Sequence, residues 1–337
     1  MTDAPPDTPS VVLLALQHKV ELLLQEQGQM DDMARRWLGV ESALEAQMTA
    51  LAEELARMRD AGKSIEAWRL FELERYRTLL GQAERQVNAY SRDAGGLITS
   101  RQEELAGLGI QHAAEAIRTS FLSSGGRVGG FFDILPVEAI EQMIGIAGDG
   151  TPLERLLRAS WPDAVDGLTQ ALIDGTALGR NPRDVARMMR DGLSQGLDRM
   201  LTIARTEQLR AYREAARAQY QVSGLVKSYK RIAAFDACMA CTALDGEVYD
   251  VEELLEVHPN DRCAMVPQVE GLPEIQYQSA ADRFLELPEE EQRARMGDGA
   301  FELFSAGQIS LSDFAVHSES TDWGPSIRTA TLAELGG

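Results

Sequence analysis

The chain has little that cross-links, little that stacks, and a shortage of positive charge. Three cysteines in 337 residues are an odd count, so a paired disulfide framework does not account for them. Lys and Arg number 33 against 53 Asp and Glu, a formal charge of −20. A protein that holds duplex DNA by neutralising phosphates needs a basic face, so the chain as a whole is expected to be repelled by DNA. Aromatics make up only 6%, while Ala, Leu, Glu, Gln and Arg crowd the first two thirds, a composition that favours helix over sheet. No apolar run approaches the roughly 20 residues that span a bilayer. The longest, Val11 to Leu16, runs into Gln17, His18 and Lys19. Lacking a basic leader and a small-residue cleavage site, it is expected to be neither signal peptide nor anchor.

What is present is mostly helical periodicity. Residues 1–10 are Pro- and Asp-rich without a pattern and are expected to form a disordered tail. Across 11–122 the pattern is amphipathic. Leu44, Met48, Leu51, Leu55 and Met58 recur at three- and four-residue spacing. A second helix is predicted from Ser64 to Arg92 on Ile65, Trp68, Phe71, Leu79 and Val87, with Gly95-Gly96 closing it and a third helix following from Leu97 to Phe121. Such helices form a hairpin or elongated bundle, or a coiled-coil stalk that oligomerises, and the mixed spacing leaves both open. Residues 123–131 read as a Gly-rich linker; no Lys-Ser/Thr follows and no strand precedes, as a phosphate loop would need.

Residues 132–224 read as a central helical domain. Helices are predicted from Pro136, Pro152, Pro162 and Asn181-Pro182, and a long one from Ser194 to Val222 is stopped by Ser223-Gly224. At 225–270 the character changes: Leu225 to Ile232 reads as a strand, and Glu247 to Tyr249 as a second one after an Asp245-Gly246 turn. Residues 271–337 return to short helices, Ser279 to Leu285, Pro288 to Met296 and Ala300 to Ala306, before an extended end. The fold class expected is mainly α, with a small α+β knuckle near the C-terminus.

All three cysteines fall in that knuckle. Cys238-Met-Ala-Cys241 precedes His258-Pro-Asn-Asp-Arg-Cys263 by sixteen residues. Two thiolates two residues apart grip one ion from a single turn, and a His-x₄-Cys pair from a second turn completes a tetrahedron. The polar neighbours Asp236, Thr242, Asp245, Asn260 and Arg262 argue against an ordinary apolar strand. A redox Cys-x-x-Cys is expected to open a helix after a strand, whereas Ala243 to Gly246 reads as a turn. The residues thus point to a structural Zn²⁺ held by Cys238, Cys241, His258 and Cys263, cross-linking two loops that have too few apolar residues to fold alone. Asp236 and Arg262 are expected to orient the turns.

The order of motifs is itself informative. Gly179-Arg-Asn-Pro-Arg-Asp-Val-Ala186, Ile203-Ala-Arg-Thr-Glu207, Ser223-Gly224, Asp236-Ala-Cys-Met-Ala-Cys241, Leu244-Asp-Gly246, His258-Pro259, Arg262-Cys263 and Pro267 succeed one another. From about Asp163 to Pro267 this resembles the phage head-morphogenesis family, the minor head proteins similar to phage Mu protein F and the SPP1 minor capsid protein. The stretch from Phe284 to Leu311 also looks like the region after the cysteines in that family. The resemblance implies a minor capsid protein of the virion, present in few copies, associated with the portal protein and with major capsid or scaffold proteins at the capsid interior, and made in the host cytoplasm during assembly. Relatives often read His-Pro-x-Cys-Arg-Cys, and Asp261 stands here for the first of those cysteines. In this reading Arg205 and Glu207 clamp helix to knuckle, and the N-terminal helices dock to the portal or self-associate.

Two rival readings follow from the same residues. A zinc-dependent nuclease or hydrolase needs an open coordination position and a general base. Four soft ligands, with no His-Glu-x-x-His and no His-x-Glu paired with Pro-Cys-x-x-Cys, speak against it, and the chain is expected not to be an enzyme. A zinc-stabilised DNA-binding module would use the basic stretch from Arg180 to Arg231, which is otherwise a solvated helix face or a surface for an acidic groove.

Overall fold

The computed structural model describes residues 10–63, 70–125, 132–136, 139, 144–145, 153–234, 236–320 and 323–336. The expected tail before Ser10, the linker from 126 to 131, the start of the helix expected at Ser64 and most of the helix expected from Pro136 lie outside the described residues. No described helix is long and apolar enough to cross a membrane. The chain divides into two compact units, one of Glu26–Thr99 and Gly145–Arg205, the other of Met1–Gln25, Ser100–Ile144 and Thr206–Gly337. Helices α1 (Ser10–Asp60) and α2 (Glu74–Ser123) supply residues to both.

In the first unit α1 and α2 run antiparallel. Tyr90 Oη donates to the Met33 carbonyl at 2.9 Å, and Arg75 meets Glu54 at 2.9 Å. Met30, Met33, Trp37, Val40, Leu44, Met48, Leu51 and Leu55 on α1 face Tyr76, Leu79, Ala83, Val87, Tyr90, Ala94 and Ile98 on α2, all buried, at the three- and four-residue steps that make a continuous stripe. Gly95-Gly96 does not end a helix: α2 passes through both. Buried Ala94 and Ile98 flank the pair and Leu157 packs on Gly95, so tertiary burial outweighs the helix penalty of about 1 kcal/mol per glycine. Phe71, expected inward, is 54% exposed. Short α3 (Leu153–Arg158) precedes α4 (Trp161–Ala177), which packs on α5 (Pro182–Leu193) where a Cβ on Gly167 would lie 2.2 Å from the Gly192 carbonyl oxygen. Asn181 caps α5 by accepting from Arg183 N, with Pro182 at the first turn.

The other unit carries the cysteines. Helix α6 (Gln195–Ser223) ends at Gly224, φ 65°, and feeds a three-stranded antiparallel sheet of order β2-β1-β3, with β1 Val226–Ile232, β2 Val248–Asp250 and β3 Ala264–Val269. Strand β3 completes the sheet the motif reading left at two strands. Tyr229 and Tyr249 stack at 5.5 Å inside a cluster with Tyr220, Met265 and Val269. Helices α8 (Ala280–Leu285), α9 (Glu289–Met296) and α10 (Asp298–Ser305) follow. The end that reads as extended is a β-hairpin, β4 Ala315–Ser320 with β5 Gly324–Thr329.

Candidate metal centre

The sheet brings the two motifs together. Ile232 of β1 is in register with Ala264 of β3, so Cys263 enters β3 beside the point where the chain leaves β1 for Cys238. The residues after β1 are not only a turn: α7 (Met239–Ala243) forms one short helical segment, with Cys238 at its N-cap accepting from Cys241 N at 3.5 Å. This corrects the expectation that the Cys-x-x-Cys opens no helix. Asp245 pins the loop, its carboxylate accepting from Ala233 N at 2.6 Å and from Ala280 N at 2.5 Å.

His258 arrives on a tight turn. Its carbonyl accepts from Asp261 N at 2.9 Å, and Asn260 sits at φ 65°. Pro followed by a left-handed Asn is the sequence that a type II turn requires. Two further contacts hold the turn: Asn260 N donates to Thr206 Oγ1 at 3.2 Å, and Ile327 N in β5 donates to the neighbouring Val257 carbonyl at 3.2 Å.

The donor atoms converge. His258 Nε2 lies 3.4 Å from Cys238 Sγ and 3.2 Å from Cys241 Sγ. Around Zn²⁺ with bonds of about 2.3 Å to sulfur and 2.0 Å to nitrogen, a tetrahedral edge of roughly 3.5 Å is required, so the spacing fits. Nδ1 of His258 lies 2.7 Å from the Pro259 carbonyl. As the donor in that contact it leaves the Nε2 lone pair facing the sulfurs, the usual way a ligating histidine is oriented.

Cys238, Cys241 and His258 form one group whose donor atoms all lie within 4.8 Å; Cys241, Asp261 and Cys263 form a second. Cys241 is common to both. The five side chains are a cluster able to bind a metal ion, and the four residues expected from the sequence divide between its two halves.

Asp261 is the electrostatic hub. It is 1% exposed, and its Oδ2 accepts from Arg231 Nη2 at 2.6 Å while its Oδ1 accepts from Cys263 N at 2.6 Å and from Arg213 at 3.3 Å. Arg231 also reaches Cys241 Sγ at 3.3 Å and the Glu256 carbonyl at 2.7 Å. Burial alone would raise the Asp261 pKa; Arg213, Arg231 and His258 overcome it and hold the carboxylate at about 2. The contact with Cys241, then His258 working against partial burial, pulls the Cys238 thiol down to about 3. Cys241 is pushed up by its contacts with Cys238 and Cys263 and by burial. For His258, burial is outweighed by Cys238, Asp261 and the Pro259 carbonyl, which raise it to about 9. Without metal, these shifts favour the charged forms of Cys238 and His258, so a metal has to displace the proton that His258 then holds more tightly.

The orienting hydrogen bonds come from Asp261, Arg213, Arg231 and Thr206, while Asp236 is exposed. Strand parity does not mark Arg231, since Tyr229, Lys230, Arg231 and Ile232 are all buried in succession. Apolar cover comes from beyond the knuckle, since Ala280 and Ile327 pack with Cys241 and Cys263.

Much of the basic stretch is engaged internally, while Arg183, Arg187 and Lys227 are exposed. Arg199 pairs with Asp163, Arg205 with Glu26, Arg210 with Glu207 and Glu214, Arg213 and Arg231 with Asp261, and Lys230 with Glu274. The carboxylate expected for Arg205 is thus Glu26, and Glu207 meets Arg210 one turn along α6. Compared with protein-family models, with curated proteins and with solved structures, the chain finds no match.

Proposed function

We propose that this chain is a minor capsid protein of a tailed bacteriophage, acting in head assembly and in DNA packaging or ejection, and that its C-terminal knuckle is built on a structural zinc ion. The observation that carries the metal reading is the convergence of Cys238, Cys241 and His258 within 3.4 Å contacts, with His258 pre-oriented by Pro259. Borderline-soft zinc suits two thiolates and an imidazole. Cys263 is the fourth ligand in this reading, because both Asp261 oxygens already accept from buried donors. Zinc would tie the β1–α7 loop to the His258 turn and contribute folding free energy directly.

The virion assignment rests on the order of motifs from Gly179 to Pro267. Portal protein and major capsid or scaffold proteins are its partners in this reading. The rival DNA-binding module is weakened by the ion pairs above, since cations already matched by carboxylates release few counterions from DNA. A nuclease or hydrolase needs a general base near the centre, and among the described residues the acid of the donor cluster, Asp261, is buried and doubly paired with arginine, which does not suit that role.

Metal analysis of the full-length protein is expected to give about one zinc per chain, and a chelator should lower the melting temperature. A protein that holds no metal and melts unchanged would remove the zinc assignment. Mass spectrometry of purified heads tests the virion assignment separately; its expected result is a few copies per head, and absence from the particle would overturn it.

A further inference from the structure

Helices α1, α2 and α6 and the start of β3, all within the unit that carries the cysteines, enclose a cavity with about 40 Å³ open to water. Its wall is mostly apolar, with Leu22 and Met265 among its residues, and no carboxylate lines it. Most polar groups in the wall have protein partners. His18 Nε2 meets Glu115 at 3.1 Å, His112 Nδ1 meets the Tyr212 hydroxyl at 3.1 Å, Tyr220 donates to the Met265 carbonyl at 3.3 Å, and Arg213 is held by Asp261.

Lys19 is different. It lines the same cavity, and its Nζ is buried with no hydrogen-bond partner among the described residues. An ammonium so placed has exchanged part of its bulk hydration for a mostly apolar wall, and burial accordingly lowers its pKa against the opposing influence of Cys263, Asp236 and Asp261. Of those acids, Asp261 is neutralised by its two arginines. A cationic donor in a mostly apolar wall that has the Cys263 thiol but no carboxylate is the chemistry that recognises a single anionic group on an aliphatic body. The space holds about three water-sized positions at roughly 10–15 Å³ each, which matches an aliphatic acid of two to four carbons.

We propose that this cavity binds a short monocarboxylate, its carboxylate taking the donors of Lys19 and its alkyl end lying on the apolar wall. Cys263 lines this cavity as well as belonging to the candidate metal centre, so the metal content of the protein is held constant in the test. The test uses the full-length protein with ¹³C-butyrate observed by NMR, alongside thermal melting with butyrate, chloride or 1-butanol at constant ionic strength. Saturable line broadening is expected, with a rise in melting temperature for butyrate alone. Lys19→Met, which keeps the stem and removes the charge, should weaken binding at least tenfold. Should that variant not fold, competition on the wild type decides: propionate should displace labelled butyrate and butylamine should not. No saturable broadening, displacement by butylamine, or equal binding by Lys19→Met would overturn the proposal and leave a cavity that holds water only.

Discussion

Cys241 is the side chain shared by both halves of the donor cluster, and it is 2% exposed. Its replacement should therefore do more damage than that of Cys238 at the exposed edge. Cys238→Ser, Cys241→Ser and His258→Gln are expected to lower zinc affinity by well over tenfold each, with Cys241→Ser also lowering stability without metal; competition with a chromogenic chelator measures the first and urea titration the second. Arg231→Met makes a different prediction. It strands Asp261 as a buried carboxylate with one arginine fewer, which costs about 3–5 kcal/mol. A loss below 1 kcal/mol in urea would show that Arg213 alone satisfies the acid. These roles were unevenly legible. Cys-x-x-Cys and His-x₄-Cys announce themselves by spacing, whereas Arg231 and Asp261 are thirty residues apart and meet only because β1 and the His258 turn are brought together.

Among the elements, the long helices test how packing overrides propensity. Gly96 lies on the exposed face of α2, with nothing within 4 Å of a built Cβ. Gly96→Ala is expected to stabilise by about 0.5–1 kcal/mol. Gly109 lies on the same helix, but a Cβ there would stand 2.3 Å from the Tyr212 carbonyl oxygen on α6. Gly109→Ala should destabilise by about 1–3 kcal/mol as the helices are forced apart. The pair is one measurement by chemical denaturation, and equal effects at the two positions would contradict the helix contact. Sequence alone assigns both glycines the same helix-weakening value, and Gly95-Gly96 read as a terminus for that reason. The stripe from Leu79 to Ile98 contains the opposing information, because its phase continues unbroken across the glycines.

For the molecule as a whole, acid sensitivity follows from two buried sites. Burial, then the stacked His18 ring, lowers His112 to about 4 from its usual 6.5. Between those values the unfolded chain binds a proton that the folded chain refuses, so stability falls as pH drops from 6.5 to 4. The effect is at most about 3 kcal/mol. Asp261 has the opposite protonation chemistry but the same direction: its contribution is full above the usual carboxylate range and is lost as pH falls towards about 2. Relief of self-repulsion among 53 carboxylates works the other way, so the comparison is with His112→Gln, whose urea midpoint should vary less between pH 6.5 and 4 than that of the wild type. Zinc affinity should also rise with pH up to about 9, as the proton on His258 becomes easier to displace.

Helix content, the start of most helices and the ligand candidates were readable in the chain because each is local: period, cap and spacing are encoded within a few residues. Pro162, Asn181-Pro182 and Ser279 start helices as expected, and the Pro259-Asn260 turn follows from two side chains. Strand β3, the C-terminal hairpin, the continuity of α2 and the buried Asp261–Arg231–Arg213 network were not readable, since each depends on partners tens of residues away. A carboxylate or a glycine carries no mark of whether it meets water, an arginine or another helix; that is set by what the folded chain packs against it.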